Sequence, residues 1–584
     1  MRQDLANLVK QLPKSFKAKI PSPDEDEGEH SLGCCISVEL NILRKDGGIL
    51  CGVAYLQITR LFSFKPPKVY LSRELKAQVG YIPHVDENCL VCPWEDELID
   101  GSILQPHELI IDTVHKALEV VETGVRGENY EEFSREFVDY WRQLYSSTDI
   151  VDEGLYFALP CMQRGTLISV KAYRKDNRIL SFILPSTQTP IVENIEAVWG
   201  QPLAEYPAQL IRFTPKKLPP YHFPAEEILP AVMVRNLDLI DWLDLKLNLA
   251  PEPFYLLFSQ RFKGTDYLLG WRVTPPQKRL HGSMGKRNAF GLPLLKIDAV
   301  RVLARDIGLS RLEKRTEGVH RSNRIEKLAI IGLGSIGSNL LGLLRFMPIQ
   351  SVTLVDKDRL KPENVPRHIL GIAQCGQNKA TAMADFVRST MPHTKVEAIS
   401  GCIGEFLGKN PEAFSGATAC VLATGERAIT KFVLSQMEQH GIKCPVVILF
   451  VEPFLLGAHC LCFSKPDLIL FEKLHDKQGF YFGNTIPPEE YIQEESRYRL
   501  NEGGCQGTFA PFSGRDINAF LSKVFSRIMD CCHGQKEQLI CWKWAGSPSG
   551  NRAFEASRVQ QYYSEGTLER IDFEDQISGM ENPN

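Results

Sequence analysis

The stretch 327-KLAIIGLGSIGSNLLGLLRFM-347 decides the fold. An apolar run, a glycine turn and an apolar-periodic segment follow one another without a break, which is the order strand, turn, helix. Gly332, Gly334 and Gly337 stand in G-x-G-x-x-G spacing between strand and helix. Glycines there permit a tight turn and a close backbone approach to phosphate. The helix that follows presents free N–H groups and a partial positive charge. Downstream, "SVTLVDKD" (351–358), "ACVLAT" (419–424) and "CPVVILF" (444–450) read as further buried strands, and "QNKATAMADFVRSTMP" (377–392) as a helix. This alternation argues for a mainly parallel sheet with helices on both faces, an α/β Rossmann-like domain over 325–584.

Upstream the pattern differs. "CCISVELNILRKDGGILCGVAYLQIT" (34–59) reads as two strands around an Asp46-Gly47-Gly48 turn. "PHELIIDTVHKALEVVE" (106–122) has helical apolar spacing with Pro106 at its start, and "NYEEFSREFVDYWRQLY" (129–145) is a second amphipathic helix. Residues 1–150 are therefore expected to form an α+β domain. Residues 151–324 read as a mixed α/β middle region, a spacer or dimer-forming domain. They hold a hairpin over 167–185 turning at Asp176-Asn177, an exposed connection over 218–230, and a basic helix over 299–315 carrying Arg301, Arg305 and Arg311.

The bulk composition excludes several classes. The chain has 584 residues, too many for one core, so three domains suit its length. Apolar residues are 43%, charged residues 24%, and the net charge is −4, so nothing points to nucleic acid. The polar N-terminus lacks a signal-peptide segment, and no apolar run is long enough for a membrane helix. Its 16 cysteines are scattered rather than framed, which favours reduced thiols and a cytoplasmic protein without membrane contact.

Asp356 ends the second strand, where an acid can bind ribose hydroxyls. To this point NAD and ATP are equally acceptable. "DKDRLKPENVPRHILG…GQNKATA" then gathers Asp358, Asn364, Arg367 and Lys379 just past that strand. A dinucleotide site needs no such cluster, whereas chemistry at an α-phosphate does, because Arg and Lys offset charge building there.

The ordered set Asp356, Asn364-Val365-Pro366-Arg367 and Lys379 resembles the adenylation domain of ubiquitin-activating and ThiF-type enzymes over about residues 325–465. The resemblance implies binding of ATP and Mg2+ and adenylation of a C-terminal carboxylate. Where that family carries a metal-linked Asp after its fourth strand, this chain has "LATGERA" (422–428), which leaves Glu426 as the magnesium ligand.

Two thiol regions remain. Cys505 lies in the glycine-rich "NEGGCQGTFAPFSGRDINAF" (501–520), where small neighbours leave room for an acyl group. Its context resembles the thioester cysteine of bacterial activating enzymes fused to a conjugating domain. In "YIPHVDENCLVCPWED" (81–96), Cys89 and Cys92 are spaced as half a zinc site, but the chain holds no second Cys-x-x-Cys pair. The order "FKPPKVYLS", "IPHVDENCLVC", Trp94 and "PHELIIDTVHKALEVV" resembles ubiquitin-conjugating (UBC-like) domains, with Cys92 as nucleophile, Cys89 as its rival where a glycine is common, and His84 in an orienting role. A conjugating domain ahead of a ThiF-like domain is similar to the CD-NTase-associated conjugating–activating fusions of bacterial anti-phage CBASS operons. That likeness implies a protein acyl donor with a free C-terminus (a CD-NTase), target-protein lysines as acceptors, and a homodimer in which Arg301, Arg305 and Arg311 either reach a neighbouring site or form a solvated basic face. An NAD-dependent oxidoreductase and a non-catalytic scaffold with degenerate domains are the rival readings.

Overall fold

The computed structural model describes residues 2–22, 35–59, 61–62, 64–80, 82–86, 88–93, 104–129, 132, 141, 151–158, 168–174, 181–185, 190–212, 246, 252–262, 265–274, 298–309, 311, 324–501, 508–546 and 564–573. The chain divides into two units, Met1–Ser186 with Ala204–Gly308, and Thr187–Leu203 with Leu309–Asn584.

In the first unit, β1 (Cys35–Leu43), β2 (Ile49–Gln57), β3 (Lys68–Leu71) and β4 (Leu90–Val91) form an antiparallel sheet in chain order. The Asp46-Gly47-Gly48 turn closes β1 on β2, with Leu43 opposite Ile49 and Gly47 at φ +81°. Helices α1 (Arg2–Gln11), α2 (Arg73–Val79) and α3 (Pro106–Arg126) accompany the sheet. Helix α3 starts at Pro106, where a missing N–H costs nothing, and the Glu108 carboxylate accepts the Gln105 N–H at 3.0 Å. Its Ile110, Val114, Ala117 and Val121 join Ile36, Val38, Leu40 and Leu71 in one core. Of the second helix expected over 129–145, only Asn129, Glu132 and Trp141 are described.

The other strands of this unit close into a barrel. They are β5 (Val151–Phe157), β6 (Ile168–Arg174), β7 (Ser181–Pro185), β8 (Ala204–Arg212), β9 (Phe254–Phe262), β10 (Thr265–Thr274) and β11 (Asp298–Asp306), in the order β10-β11-β5-β7-β6-β8-β9. β6 and β7 pair antiparallel as the expected hairpin, although its turn and the connection over 218–230 lie outside the described residues. The basic helix expected from residue 299 is corrected: Asp298–Asp306 is strand β11. Arg301 and Arg305 are spaced for one helix face, but the strand period of two governs. Val302 and Ala304 enter the barrel core, and Arg301 is buried on the other face. The Arg301 guanidinium donates to the Trp141 carbonyl at 3.0 Å and lies over the indole, whose N–H donates to the Val302 carbonyl at 3.0 Å. Arg301 is therefore not part of a solvated face.

The second unit is built on an eight-stranded sheet. Its strands are β12 (Ile325–Ile331), β13 (Ile349–Val355), β14 (Lys395–Ile399), β15 (Ala419–Leu422), β16 (Val446–Val451) and β17 (Gly457–Phe463). After the short ladder of β18 (Leu500–Asn501) and β19 (Thr508–Phe509) come β20 (Leu539–Ala545) and β21 (Leu568–Ile571). The sheet order is β14-β13-β12-β15-β16-β17-β20-β21, parallel from β14 to β16 and antiparallel beyond. Its longer helices are α4 (Pro190–Trp199), α5 (Ser335–Leu344), α6 (Lys379–Thr390), α7 (Ile403–Lys409), α8 (Arg427–Gln439) and α9 (Gly514–Cys532), with short helical turns over Leu468–Lys473, Pro488–Gln493 and Glu495–Tyr498. Neighbouring residues of one strand serve opposite cores. Leu328 and Ile330 pack with α5, α6 and α9, whereas Ala329 and Ile331 pack with α7 and α8. Burial on both faces explains the continuous apolar runs of these strands. Asn194 of α4 donates to the carbonyls of Pro392 and Thr394, both at 3.0 Å, fastening that helix beyond the end of α6.

From β12 the chain runs outward through β13 and β14, then returns to β15 on the other side. The loops leaving β12 and β15 thus diverge, and an open α/β sheet has its crevice at such a reversal, beyond the carboxyl ends of the strands.

Candidate active site

Three glycines shape the crevice for different reasons. Gly332 leaves β12 at φ +90°, and a Cβ there would stand 2.7 Å from the backbone of Ala423 and Thr424. A Cβ at Gly337 would meet the Gly332 carbonyl oxygen at 2.0 Å. At Gly334 a Cβ would meet nothing within 4 Å, so packing does not demand that glycine.

Polar side chains brace this loop from both sides. The Asp356 carboxylate accepts the Leu333 N–H at 2.7 Å on one oxygen and the Asp358 N–H at 2.8 Å on the other. Burial raises its pKa, although those two amides and Lys379 oppose the rise. His368 bridges to the Leu333 carbonyl at 2.8 Å, while its Nδ1 accepts the Leu370 N–H at 3.1 Å. Nδ1 is thus the acceptor and Nε2 the donor, and burial lowers this imidazole's pKa, favouring that neutral form. Asn378 donates to the carbonyls of Asp356 and Asp358 at 2.9 and 3.2 Å, and its oxygen caps α6 by accepting from Ala380 and Thr381. The sequence reading passed over His368 and Asn378. An Asn just before a helical run is an N-cap signal that marks the second of them.

Two cations line the cavities beside the loop. Lys379, the first residue of α6, is buried with its ammonium 3.6 Å from Asp358. Arg367 ends the turn Pro362–Arg367, which Asn364 organises by accepting the Lys361 N–H at 3.1 Å. Glu426 is exposed at the N-terminus of α8, and its N–H donates to Thr424 Oγ1 at 3.2 Å.

Three cavities meet at Gly334. One of about 150 Å³ is lined by Gly332, Asp356, Asp358, Lys379 and Glu426. A second of about 170 Å³ is lined by Ser335, Asn364, Arg367, His368, Lys379 and Phe512. The third, about 610 Å³, runs from Thr424 and Glu426 past Arg427 and Phe450 to Tyr491 and Arg499. Below it, buried Glu452 pairs with His459 at 2.8 Å and accepts the N–H groups of Thr485 and Ile486. Burial pushes the Glu452 carboxyl up, and the His459 bond and charge with the two amides bring it below its ordinary value.

These residues fit a nucleotide: open space above Gly334, a helix N-terminus, two cations, and a carboxylate anchored beside the loop. They offer no ready-made metal cage. Among the described residues no three carboxylate, His or Cys side chains converge. The carboxylates of Asp356, Asp358 and Glu426 line one cavity beside the loop.

The thiols separate by access. Cys89 is buried at φ +69°, the left-handed region that favours glycine, while Cys92 is exposed. The Cys92 N–H donates to the His84 carbonyl at 2.8 Å, and the Asp86 carboxylate accepts the Leu90 N–H at 2.7 Å, which closes a tight hairpin. His84 Nε2 lies 2.8 Å from Glu132. Cys505 falls outside the described residues, but the strands on either side of it, β18 and β19, pair antiparallel, with Leu500 opposite Phe509. Cys420, Cys460, Cys462 and Cys541 are buried in the sheet, Cys531 and Cys532 in α9, and Cys444 just before β16. Burial pushes Cys444 up to about 11 and Cys541 up to about 12.

A crevice at the sheet reversal, with a glycine loop and facing cations, defines a nucleotide-binding α/β domain. Residues 304–449 match the ThiF family, so the chain carries a ThiF-family domain. It is similar to the ATP-dependent ubiquitin transferase-like protein Cap2 of Pseudomonas aeruginosa, at 30% identity over 230 residues, 38% of this chain and 38% of that protein. The Cap2 of Enterobacter hormaechei is 32% identical over 87 residues, 15% of this chain and 14% of that one. Thus the chain spans well under half the length of either curated relative. Among solved structures, the microcin C7 biosynthetic enzyme MccB in complex with N-formylated MccA aligns at 14% identity and TM-score 0.29, over 42% of this chain and 64% of that one. PaaA aligns at 16% identity and TM-score 0.29 over the same shares. Among the described residues no helix is long and apolar enough to cross a membrane.

Proposed function

We propose that this protein uses ATP to adenylate the C-terminal carboxylate of a partner protein and relays the acyl group through two thiols to an amine. The observation that carries the reading is the meeting of three cavities at Gly334, with Lys379 and Arg367 on one side and a peptide-sized space on the other. The smaller cavities take the nucleotide. Gly332, Gly334 and Gly337 let the loop approach it, Asp356 holds the loop and faces the ribose, and Asp358 and Asn364 set the positions of Lys379 and the Arg367 turn. Lys379 and Arg367 offset charge that builds on the α-phosphate. Magnesium beside Glu426 would neutralise phosphate charge when bound. The cavity of about 610 Å³ takes the partner's tail.

The carboxylate attacks the α-phosphorus, pyrophosphate leaves, and a mixed anhydride with AMP results. A carboxylate is a poor acyl donor, whereas its anhydride has a good leaving group. The Cys505 thiolate then displaces AMP to give a thioester, and the exposed Cys92 thiolate displaces Cys505 in turn. A target lysine amine finally displaces Cys92 and forms an isopeptide bond. The UBC-like reading of residues 1–150 supports Cys92 in this role, as does its exposure beside buried Cys89. The names of the curated relatives favour ubiquitin-like transfer, and the resemblance to CBASS fusions favours a CD-NTase donor, a homodimer, anti-phage defence and a cytoplasmic setting.

Mass spectrometry of the full chain with Mg-ATP and a candidate CD-NTase tests this. The expected result is a reductant-sensitive adduct lost from one step in Cys505→Ala and from the next in Cys92→Ala. Binding of NADH in preference to ATP, with no pyrophosphate exchange, would establish the oxidoreductase instead. An adduct that survives in Cys92→Ala but not in Cys89→Ala would exchange the roles of those two thiols.

A further inference from the structure

Resting on that reading of the nucleotide site, we infer that Phe512 is a positioning residue for Arg367, holding its guanidinium toward phosphate by an aromatic face instead of a carboxylate. The guanidinium lies 4.8 Å from the Phe512 ring centroid. Among the described residues no carboxylate stands within ion-pair distance of it. An acid there would fix the side chain but compete with phosphate for its charge. An aromatic ring fixes it and leaves the positive charge available. This matters in a cavity of about 170 Å³ that Lys379 also lines, where a guanidinium not neutralised by an acid adds its positive charge to the attraction for an anion.

The ring is itself held on both sides. The Pro511 carbonyl accepts the Phe454 N–H at 2.7 Å, and Ser513 caps α9 by accepting the Arg515 N–H at 3.1 Å. The same helix braces the Arg367 backbone. A Cβ at Gly514 would lie 2.7 Å from the Pro366 carbonyl oxygen and 2.9 Å from Arg367 Cα. Asn518 donates to Asn339, which donates to the Arg367 carbonyl at 3.0 Å. Phe512 also lines the cavity of about 610 Å³, so one ring is a wall of both the phosphate space and the larger space.

Calorimetric titration of the full chain with Mg-ATP and with adenosine tests this. Phe512→Leu, which keeps bulk but removes the π face, is expected to weaken Mg-ATP about three- to fivefold and leave adenosine unchanged. Phe512→Trp should stay within about twofold of the wild type for both. In an Arg367→Ala background, Phe512→Leu should add nothing, because the ring acts through the guanidinium. Equal weakening of ATP and adenosine would overturn the inference, as would additive losses in the double variant or an unchanged Phe512→Leu. A wild-type chain that binds neither ligand would overturn the nucleotide reading itself, and the inference with it.

Discussion

The crevice beyond β12 and the hairpin that presents Cys92 both rely on left-handed backbone, but in different ways. In the crevice the residue is a glycine, Gly332 at φ +90°, and its neighbours are the backbone of another strand's exit. In the hairpin the residues are His84 at φ +63° and Cys89 at φ +69°, both with side chains. A side chain in that conformation costs about 1 kcal/mol. Cys89 offsets this by burying its thiol in the core. The crevice is also held by residues distant in sequence, such as Leu333 with Asp356 and His368, whereas the bonds that close the hairpin span residues 84 to 92. Damage to the crevice should therefore spread, and damage to the hairpin should stay local.

The largest effect is expected at Gly332. Gly332→Ala forces a Cβ into backbone atoms at an unfavourable φ, and should cost the second unit about 3 kcal/mol or more in urea unfolding and abolish Mg-ATP binding. Gly334→Ala provides the contrast: unfolding unchanged, binding lost, because its Cβ projects into open space. If Gly334→Ala binds Mg-ATP as the wild type does, that space is not the nucleotide's. Glu452→Ala leaves His459 and two amides without their acceptor and should destabilise by about 3 kcal/mol, read in the same unfolding experiment.

A smaller effect should appear with pH. Burial, with the Arg427 charge adding to it, pushes the His475 imidazole from 6.5 down to about 4. The folded state therefore binds this proton less readily than the unfolded chain does. The contribution is fully present above about 6.5 and is lost as pH falls toward about 4. Melting temperature should decline over that window, and His475→Gln should flatten part of the slope. The smallest effect belongs to the hairpin. Cys89→Gly relieves the strained φ but removes a buried thiol, terms of about 1 kcal/mol each and opposite sign. Unfolding should change little and alkylation of Cys92 not at all; a lost or slowed Cys92 reaction would show that the two thiols act together.

The strand–turn–helix at 325–344, the Asp46-Gly47-Gly48 turn and the start of α3 at Pro106 were legible because each is decided within a few residues. The barrel was not. β11 pairs in parallel with β5, about 150 residues away in sequence, and no local pattern announces such a partner. Arg301 and Arg305 imitated a helix face because what makes this segment a strand is distant: Trp141 covers Arg301, and the barrel core takes Val302 and Ala304, while Arg305 stays exposed. At the site, the glycine loop and its cations could be read from spacing. That Asp356 spends both oxygens on loop amides could not, nor could the ring beneath Arg367, which enters the cavity from a distant segment.

The seven cysteines sealed in the second unit also have a practical consequence. Among the described thiols, only Cys51, Cys92, Cys375 and Cys402 are open to solvent to any degree. Among the described thiols, a reagent applied to the native chain therefore reaches surface sulfur almost alone. The difference between that count and the count in denaturant, to which buried Cys35 and Cys89 of the first unit also contribute, gauges whether the two units are folded, with no partner, nucleotide or assay of transfer required.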